Sequence, residues 1–343
     1  DTRLIKTNAY GPATESEQQQ PKFWRFWRDL PGAGRIALNL RARYSTPFLD
    51  RVYERITDLE YLAELKRIQT FERMLADDGM VIIKFWMHLS REEQQQRLES
   101  LQADPETAWR VSDRDWEHWK MYDQFIETAE RTITETNTEF APWHIVEGAD
   151  RNHRILTVAE IILQALKSRL KDHGHEPTPE LLIDAEAIDA EDPIPEPPER
   201  HVTVFSTLDM ESGLAKPEYR SQLAAQQRRI HLLSRKAIEQ KRSPVLVFEG
   251  PDAGGKGGVI RRIIPTLDAR NYRVLQYGAP TDEEASRHYL WRFWRHLQRA
   301  GHLTIFDRSW YGRVLVERVE GFASDTEWKR AYAEINDFED QLI

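Results

Sequence analysis

Short continuous apolar runs alternate with longer stretches of helical period along this chain, which predicts strands of an α/β sheet between amphipathic helices. Leu49 to Leu75 carries an extended helical pattern with Leu59, Leu62, Leu65 and Ile68 near one face; Gly79 ends it, and Val81 to Phe85 reads as the next strand. Ser90, followed by Glu92 and Glu93, opens a helix over Arg91 to Leu101. Trp116, Trp119 and Tyr122 fall at helical spacing and are expected in the core, Trp143 to Val146 reads as a strand, and Val158 to Leu170 as a helix. The period is lost from Lys171 to about Glu199, where Pro, Asp and Glu accumulate around Pro193 to Pro198, the composition of a semi-rigid acidic linker. It returns over Lys216 to Lys241, with Leu223, Ile230, Leu233 and Ala237 as an inward stripe. Arg228, Arg229, Arg235 and Lys236 on that helix read as a solvated face, with contact to a polyanion as the other reading. The apolar runs Val245 to Phe248 and Leu303 to Phe306 complete the set of buried strands.

The strand at Val245 runs into Gly250-x-x-x-x-Gly255-Lys256, and a helical pattern opens straight after it. Glycines here let backbone N–H groups turn inward, and the helix N-terminus adds positive potential. Gly250, Gly254, Gly255, Gly257 and Gly258 are therefore candidate phosphate-binding positions, and Lys256 can reach terminal phosphates. Gly257 stands where such loops usually offer a hydroxyl to Mg²⁺, so the metal needs another ligand. Asp252 inside the loop is one candidate, because a carboxylate beside phosphate oxygens requires a cation between them; an Asx-turn is its structural alternative. Asp307, ending the Leu303 strand, is placed as a Walker B carboxylate and second Mg²⁺ ligand. Arg308 and Arg313 follow it with the paired donors that suit phosphate, and Arg261 and Arg262 lie on the helix after the loop, within reach of a phosphate chain leaving it.

The two halves of the chain are related. Trp24-Arg-Phe-Trp-Arg28 recurs as Trp291 to Arg295, an offset of 267 residues (291 − 24). Without a gap, the same offset pairs Tyr10 with Tyr277, Gly34 with Gly301, Arg41 with Arg308 and Tyr44 with Tyr311. A period of this length marks a duplicated domain rather than a solenoid. Asp307 faces Leu40 and Phe306 faces Asn39, so the first copy has lost its metal carboxylate and reads as catalytically dead. Arg292 and Arg295 occur in both copies, so a role in holding the fold stays open for them.

Gly250-Pro-Asp-Ala-Gly-Gly-Lys256-Gly-Gly, Ala279-Pro-Thr281, Trp291 to Arg295 and Phe306-Asp-Arg-Ser-Trp-Tyr-Gly-Arg313 together resemble the polyphosphate kinase 2 family. Ile83 to Ser90, Asp104-Pro105 with Trp109, and Ala141-Pro-Trp143 look like the family's later motifs. The resemblance implies a P-loop kinase-like, three-layer α/β/α sandwich in two tandem copies. It implies phosphoryl transfer between inorganic polyphosphate and a nucleotide with Mg²⁺, the C-terminal copy being active and AMP the acceptor. Asp252, Lys256, Asp307 and Arg308 would then be catalytic. A diphosphate acceptor, an ordinary ATP-dependent kinase or ATPase, and a non-catalytic interaction unit are the alternatives. In the last of these the degenerate copy serves dimerisation or packing, with which a homo-oligomer is compatible. Both copies are expected to be incomplete: residues 1–170 form a first copy whose phosphate loop would lie before Asp1, 171–215 a linker, and 216–343 a second copy without its lid and last strands. Turnover is accordingly assigned to the intact parent protein.

The remaining composition narrows the partners. A net charge of −9 argues against nucleic acid as the main ligand, although a local basic channel can still hold a polyanion. No apolar run approaches a membrane span. The absence of Cys removes disulfides, thiolate metal sites and thiol nucleophiles, and a cytoplasmic location is expected.

Overall fold

A computed structural model describes residues 4–171, 204–209 and 211–343, so most of the expected linker lies outside the described residues. In chain order the elements are β1 (Ile5–Ala9), α1 (Glu15–Gln18), α2 (Trp24–Arg28), β2 (Ile36–Leu40), α3 (Ser45–Val52), α4 (Asp58–Asp77), β3 (Lys84–His88), α5 (Arg91–Ala103), α6 (Asp113–Lys120), α7 (Tyr122–Thr136), β4 (Trp143–Glu147) and α8 (Arg151–Lys171). There follow α9 (Lys216–Glu239), β5 (Val245–Phe248), α10 (Lys256–Ile263), β6 (Tyr272–Gln276), α11 (Asp282–Ala285), α12 (Trp291–Trp294), β7 (Leu303–Asp307), a π-helical turn at Arg313–Glu317 and α13 (Asp325–Asp340). The strands pair in parallel throughout: β1 with β2, β3 with β4, and β5, β7 and β6 in that order across a three-stranded sheet. This is a mixed α/β protein with parallel sheets.

The chain divides into two compact units. The first comprises Asp1–Glu176, Gly278–Leu297 and Arg313–Ile343; the second, Pro177–Tyr277 and Gln298–Gly312. Within the first unit the core is aromatic. Trp27, Phe71, Trp294 and Phe338 are fully buried, as are Tyr61, Leu65, Ile68 and Met74 along the inner face of α4. In the second, Ile305 and Phe306 of β7 and Trp310 just beyond it are fully buried, and Phe306 packs edge-on against Trp310. Burying each such side chain contributes about 1.5–3 kcal/mol.

The 267-residue offset seen in the sequence holds in the structure. β1 and β6, β2 and β7, and α1 and α11 occupy matching residues to the last position. Thr14 and Thr281 form the same capping box with Glu17 and Glu284; Thr57 with Glu60 and Ser324 with Glu327 repeat a second one. Trp27 meets Phe71 edge-on at 5.1 Å, and Trp294 meets Phe338 edge-on at 5.2 Å. Arg25 donates to the Gly11 carbonyl (2.9 Å) and pairs with Glu17, while Arg292 donates to the Gly278 carbonyl (3.1 Å) and pairs with Glu284. Arg25 and Arg292, the first arginines of the two Trp-Arg-Phe-Trp-Arg motifs, therefore hold the fold. Within the first unit, equivalent residues also touch each other: the Trp27 and Trp294 rings lie 5.5 Å apart, and Gln341 Nε2 reaches Met74 Sδ at 3.9 Å.

Several sequence expectations need correction. The pattern from Leu49 to Leu75 is two helices, because Glu54 adopts a left-handed conformation (φ 54°) and Thr57 starts a new helix with its capping box. Leu59 falls in the first turn of α4 and is 80% exposed, off the inner face. Leu233 on α9 is likewise exposed. The strand placed at Val81 to Phe85 begins at Lys84, and α8 begins seven residues before Val158. Trp116, Trp119 and Tyr122 are half-buried across the break between α6 and α7, each donating a hydrogen bond within the first unit.

Candidate active site

The register of the second unit's sheet assembles the site. Phe248 at the end of β5 pairs with Asp307 at the end of β7, so the segments Glu249–Gly255 and Arg308–Ser309 leave the same sheet edge side by side. Arg308 N–H donates to the Phe248 carbonyl at 3.1 Å, and Tyr277 N–H to the Asp307 carbonyl at 3.2 Å. These bonds carry the ladder one residue past the strand ends.

The glycine-rich segment turns sharply before α10. Gly250 (φ 141°), Ala253 (φ 63°) and Gly255 (φ 87°) all have positive φ, and Gly255 is the N-cap of α10. Ala253 carries this conformation with a Cβ, at a cost of roughly 1–2 kcal/mol. A Cβ on Gly254 would sit 3.0 Å from the Pro251 carbonyl oxygen, a contact that fits only if the loop gives by a few tenths of an ångström. Lys256 folds back over the loop and donates to the carbonyls of Gly250 (2.6 Å) and Pro251 (2.9 Å). Gly257 and Gly258 open the first turn of α10, where N–H groups lack partners within the helix.

Charged side chains converge on this edge. Arg308 Nη2 donates to Asp252 Oδ1 at 3.1 Å, in an open setting where the side chains are 53% and 92% exposed. Arg308 itself is left-handed (φ 66°), which ends β7 there. Asp307 is half-buried at the strand end. Arg261 is exposed on α10, and Arg262 turns back to the Gly258 carbonyl (2.7 Å) and to the Tyr219 hydroxyl. Arg313 belongs to the first unit, where it pairs with Glu317 at 2.8 Å and stacks over the Tyr289 ring.

Two residues here escaped sequence reasoning. Glu249 Oε1 accepts hydrogen bonds from both the backbone N–H and the hydroxyl of Ser309, each at 2.7 Å. The duplication carried the signal, because Ser309 faces Ala42 two positions after Asp307 faces Leu40. In the first copy Arg41 keeps its positive φ (55°), but Leu40 is exposed and Asn8 and Asn39 bond one another at 2.9 Å.

A glycine-rich turn, a helix N-terminus and strand-end charges thus meet at the carboxyl edge of a parallel sheet, the edge at which open α/β sheets as a class bind ligands. Residues 1–174 and 213–343 match the family described as polyphosphate kinase 2. The chain belongs to that family, which makes it a member of a kinase family. It is 42% identical over 342 residues to the polyphosphate:AMP phosphotransferase of Pseudomonas syringae pv. tomato and 41% identical to that of Pseudomonas aeruginosa. Both alignments cover 100% of this chain and 67% of the relative, so the chain spans about two thirds of their length. A solved Pseudomonas aeruginosa structure, described as a polyphosphate kinase 2, superposes with a TM-score of 0.81 at 38% identity, covering 100% of this chain and 64% of that one.

Proposed function

We propose that this protein moves a phosphoryl group between inorganic polyphosphate and a nucleotide, with AMP as acceptor and ADP as product, on a P-loop kinase-like three-layer scaffold present in two copies. The observation that carries this is the meeting of the glycine-rich loop with Asp307 and Arg308 at one sheet edge, in a chain aligned end to end with two polyphosphate:AMP phosphotransferases. The second copy bears the activity, since the first has Leu40 where a carboxylate is needed.

Phosphoryl transfer asks little covalent chemistry of a protein; positioning and charge neutralisation carry most of the rate. The N–H groups from Gly254 to Gly258 would cradle phosphate oxygens, and Lys256 would exchange its two carbonyl partners for a stronger, charge-assisted bond to phosphate. Arg308 would balance charge on the transferring group and let go of Asp252 to do so. The acceptor phosphate attacks in line, with no phosphoenzyme.

Asp252 and Asp307 are hard oxygen donors suited to Mg²⁺, and would hold it. Among the described residues no cluster of three or more His, Cys, Asp or Glu could hold a metal. Two carboxylates completed by water and phosphate oxygens are the usual Mg²⁺ arrangement at a polyphosphate. When bound, the ion offsets charge on the phosphate oxygens. The test incubates the intact parent protein with Mg²⁺, AMP and long-chain polyphosphate in the absence of ATP. ADP formed only with polyphosphate, and lost in Asp307→Asn, supports the reading; turnover with ADP alone moves the acceptor to diphosphates; retained turnover in Asp307→Asn refutes the metal assignment.

A further inference from the structure

The two proposed metal carboxylates sit on separate loops, and a third carboxylate ties those loops together. Glu249 is three residues before Asp252, and Ser309 two residues after Asp307. The Glu249 carboxylate takes both donors of Ser309 through one oxygen, at 2.7 Å each. Ser309 is buried, and its hydroxyl oxygen accepts a further bond from Tyr311 N–H at 3.3 Å. Hydrogen bonds to a carboxylate are the stronger kind, and a pair on one oxygen fixes distance and direction together.

This latch is not what makes the turn after β7. Arg41 in the first copy has the same left-handed backbone as Arg308, yet Ala42 there has no hydroxyl to donate. The turn survives without the bond, and the bond is found beside the copy that keeps its strand-end Asp. We infer that Glu249 is a positioning residue: through Ser309 it sets the spacing between the Asp252 loop and Asp307, and so the geometry in which the two carboxylates share a divalent cation. The inference rests on the function proposed above.

The experiment uses the intact parent protein with Glu249→Ala, Glu249→Gln and Ser309→Ala, and two readouts. One is binding of Mn²⁺ alone, followed by electron paramagnetic resonance; the other is ADP formation from AMP and polyphosphate, with kcat and the KM for AMP separated. Ser309→Ala should lower kcat and Mn²⁺ affinity by about tenfold, the worth of a hydrogen bond to a charged group, and leave the KM for AMP near wild type. Glu249→Ala, which loses both bonds, should cost about a hundredfold in kcat. Glu249→Gln keeps an acceptor oxygen and should stay within about threefold of wild type. Unchanged Mn²⁺ binding in both Ser309→Ala and Glu249→Ala overturns the inference. So does a Glu249→Gln as damaged as Glu249→Ala, which would make the carboxylate act on the metal or substrate itself. A wild-type protein that binds Mn²⁺ but makes no ADP overturns the proposed reaction instead, and the Mn²⁺ series still decides the latch.

Discussion

Arg292 and Arg308 are both arginines of family motifs with a counterpart in the first copy, and the structure gives them opposite surroundings. Arg292 is 11% exposed, pairs with a Glu284 that is 12% exposed, and bonds the Gly278 carbonyl. Truncating it to Ala strands a nearly buried carboxylate. Glu284 keeps the Thr281 N–H at 2.9 Å, so the loss should fall below the ~3–5 kcal/mol of a fully buried pair, at about 2–3 kcal/mol. For a unit of this size that lowers Tm by about 5–10 °C. Arg25→Ala should behave alike, because its ion pair with Glu17 and its bond to Gly11 repeat the geometry. Arg308→Ala removes an open pair, 53% and 92% exposed, and should cost no more than about 1 kcal/mol. Its effect belongs on transfer, with kcat for ADP formation falling about 100- to 1,000-fold as a charge-stabilising donor is lost. Urea unfolding followed by circular dichroism and initial rates on the same preparations separate the two. An Arg308→Ala that unfolds early with its turnover intact, or an Arg292→Ala that is stable and dead, would refute the assignment.

Other outcomes follow from buried charge in the first unit. Glu72 is fully buried, with Arg43 (2.7 Å) and Tyr44 (2.9 Å) on one oxygen and Lys84 (2.8 Å) on the other; Lys84 also donates to the Thr136 carbonyl. Lys84→Met leaves Glu72 its bonds from Arg43 and Tyr44 and should destabilise by about 2–3 kcal/mol in urea titrations; Glu72→Met, which strands Lys84 and Arg43 together, should cost about 3–5 kcal/mol, and the double variant less than the sum. Additive effects in that cycle would show the pair to be uncoupled. The carboxyl of Glu334 is pushed up by burial but more strongly held down by His288, whose Nε2 lies 3.4 Å away, and by Arg330, and sits below its ordinary 4.5. A depressed carboxyl stabilises above its unfolded value and loses that stabilisation as pH falls through the folded one. The stability gap between wild type and Glu334→Gln should be full at about pH 6 and close as pH drops below 4.5; a gap independent of pH would count against this pairing.

The site's backbone was legible because it is written in residue types with few other uses: an apolar run, glycines where φ turns positive, and an Asp closing the next apolar run. The duplication was legible for the same reason, as identities at one offset. Helix ends were less so. Periodicity runs through Glu54 as if it were helical, and only its left-handed backbone and the Thr57 cap break the element. Glu249 was hidden because its partner lies sixty residues away, brought close only by the β5–β7 register. Arg313 reads in sequence like Arg308, but its surroundings in the first unit are two glutamates and a tyrosine ring.

The contact between Trp27 and Trp294, residues at the same place in each copy, has a thermodynamic consequence. Two free molecules meeting through equivalent patches must meet the entropic cost of association from the patch itself. Joined in one chain, the patches face each other at an effective concentration set by the tether. Selection for affinity is then relaxed, and the halves are free to diverge. Met74 opposite Gln341 is such a mismatch, a thioether facing an amide where self-association would have placed like against like. Covalent linkage thus keeps the equivalent tryptophans in contact while the residues around them drift apart.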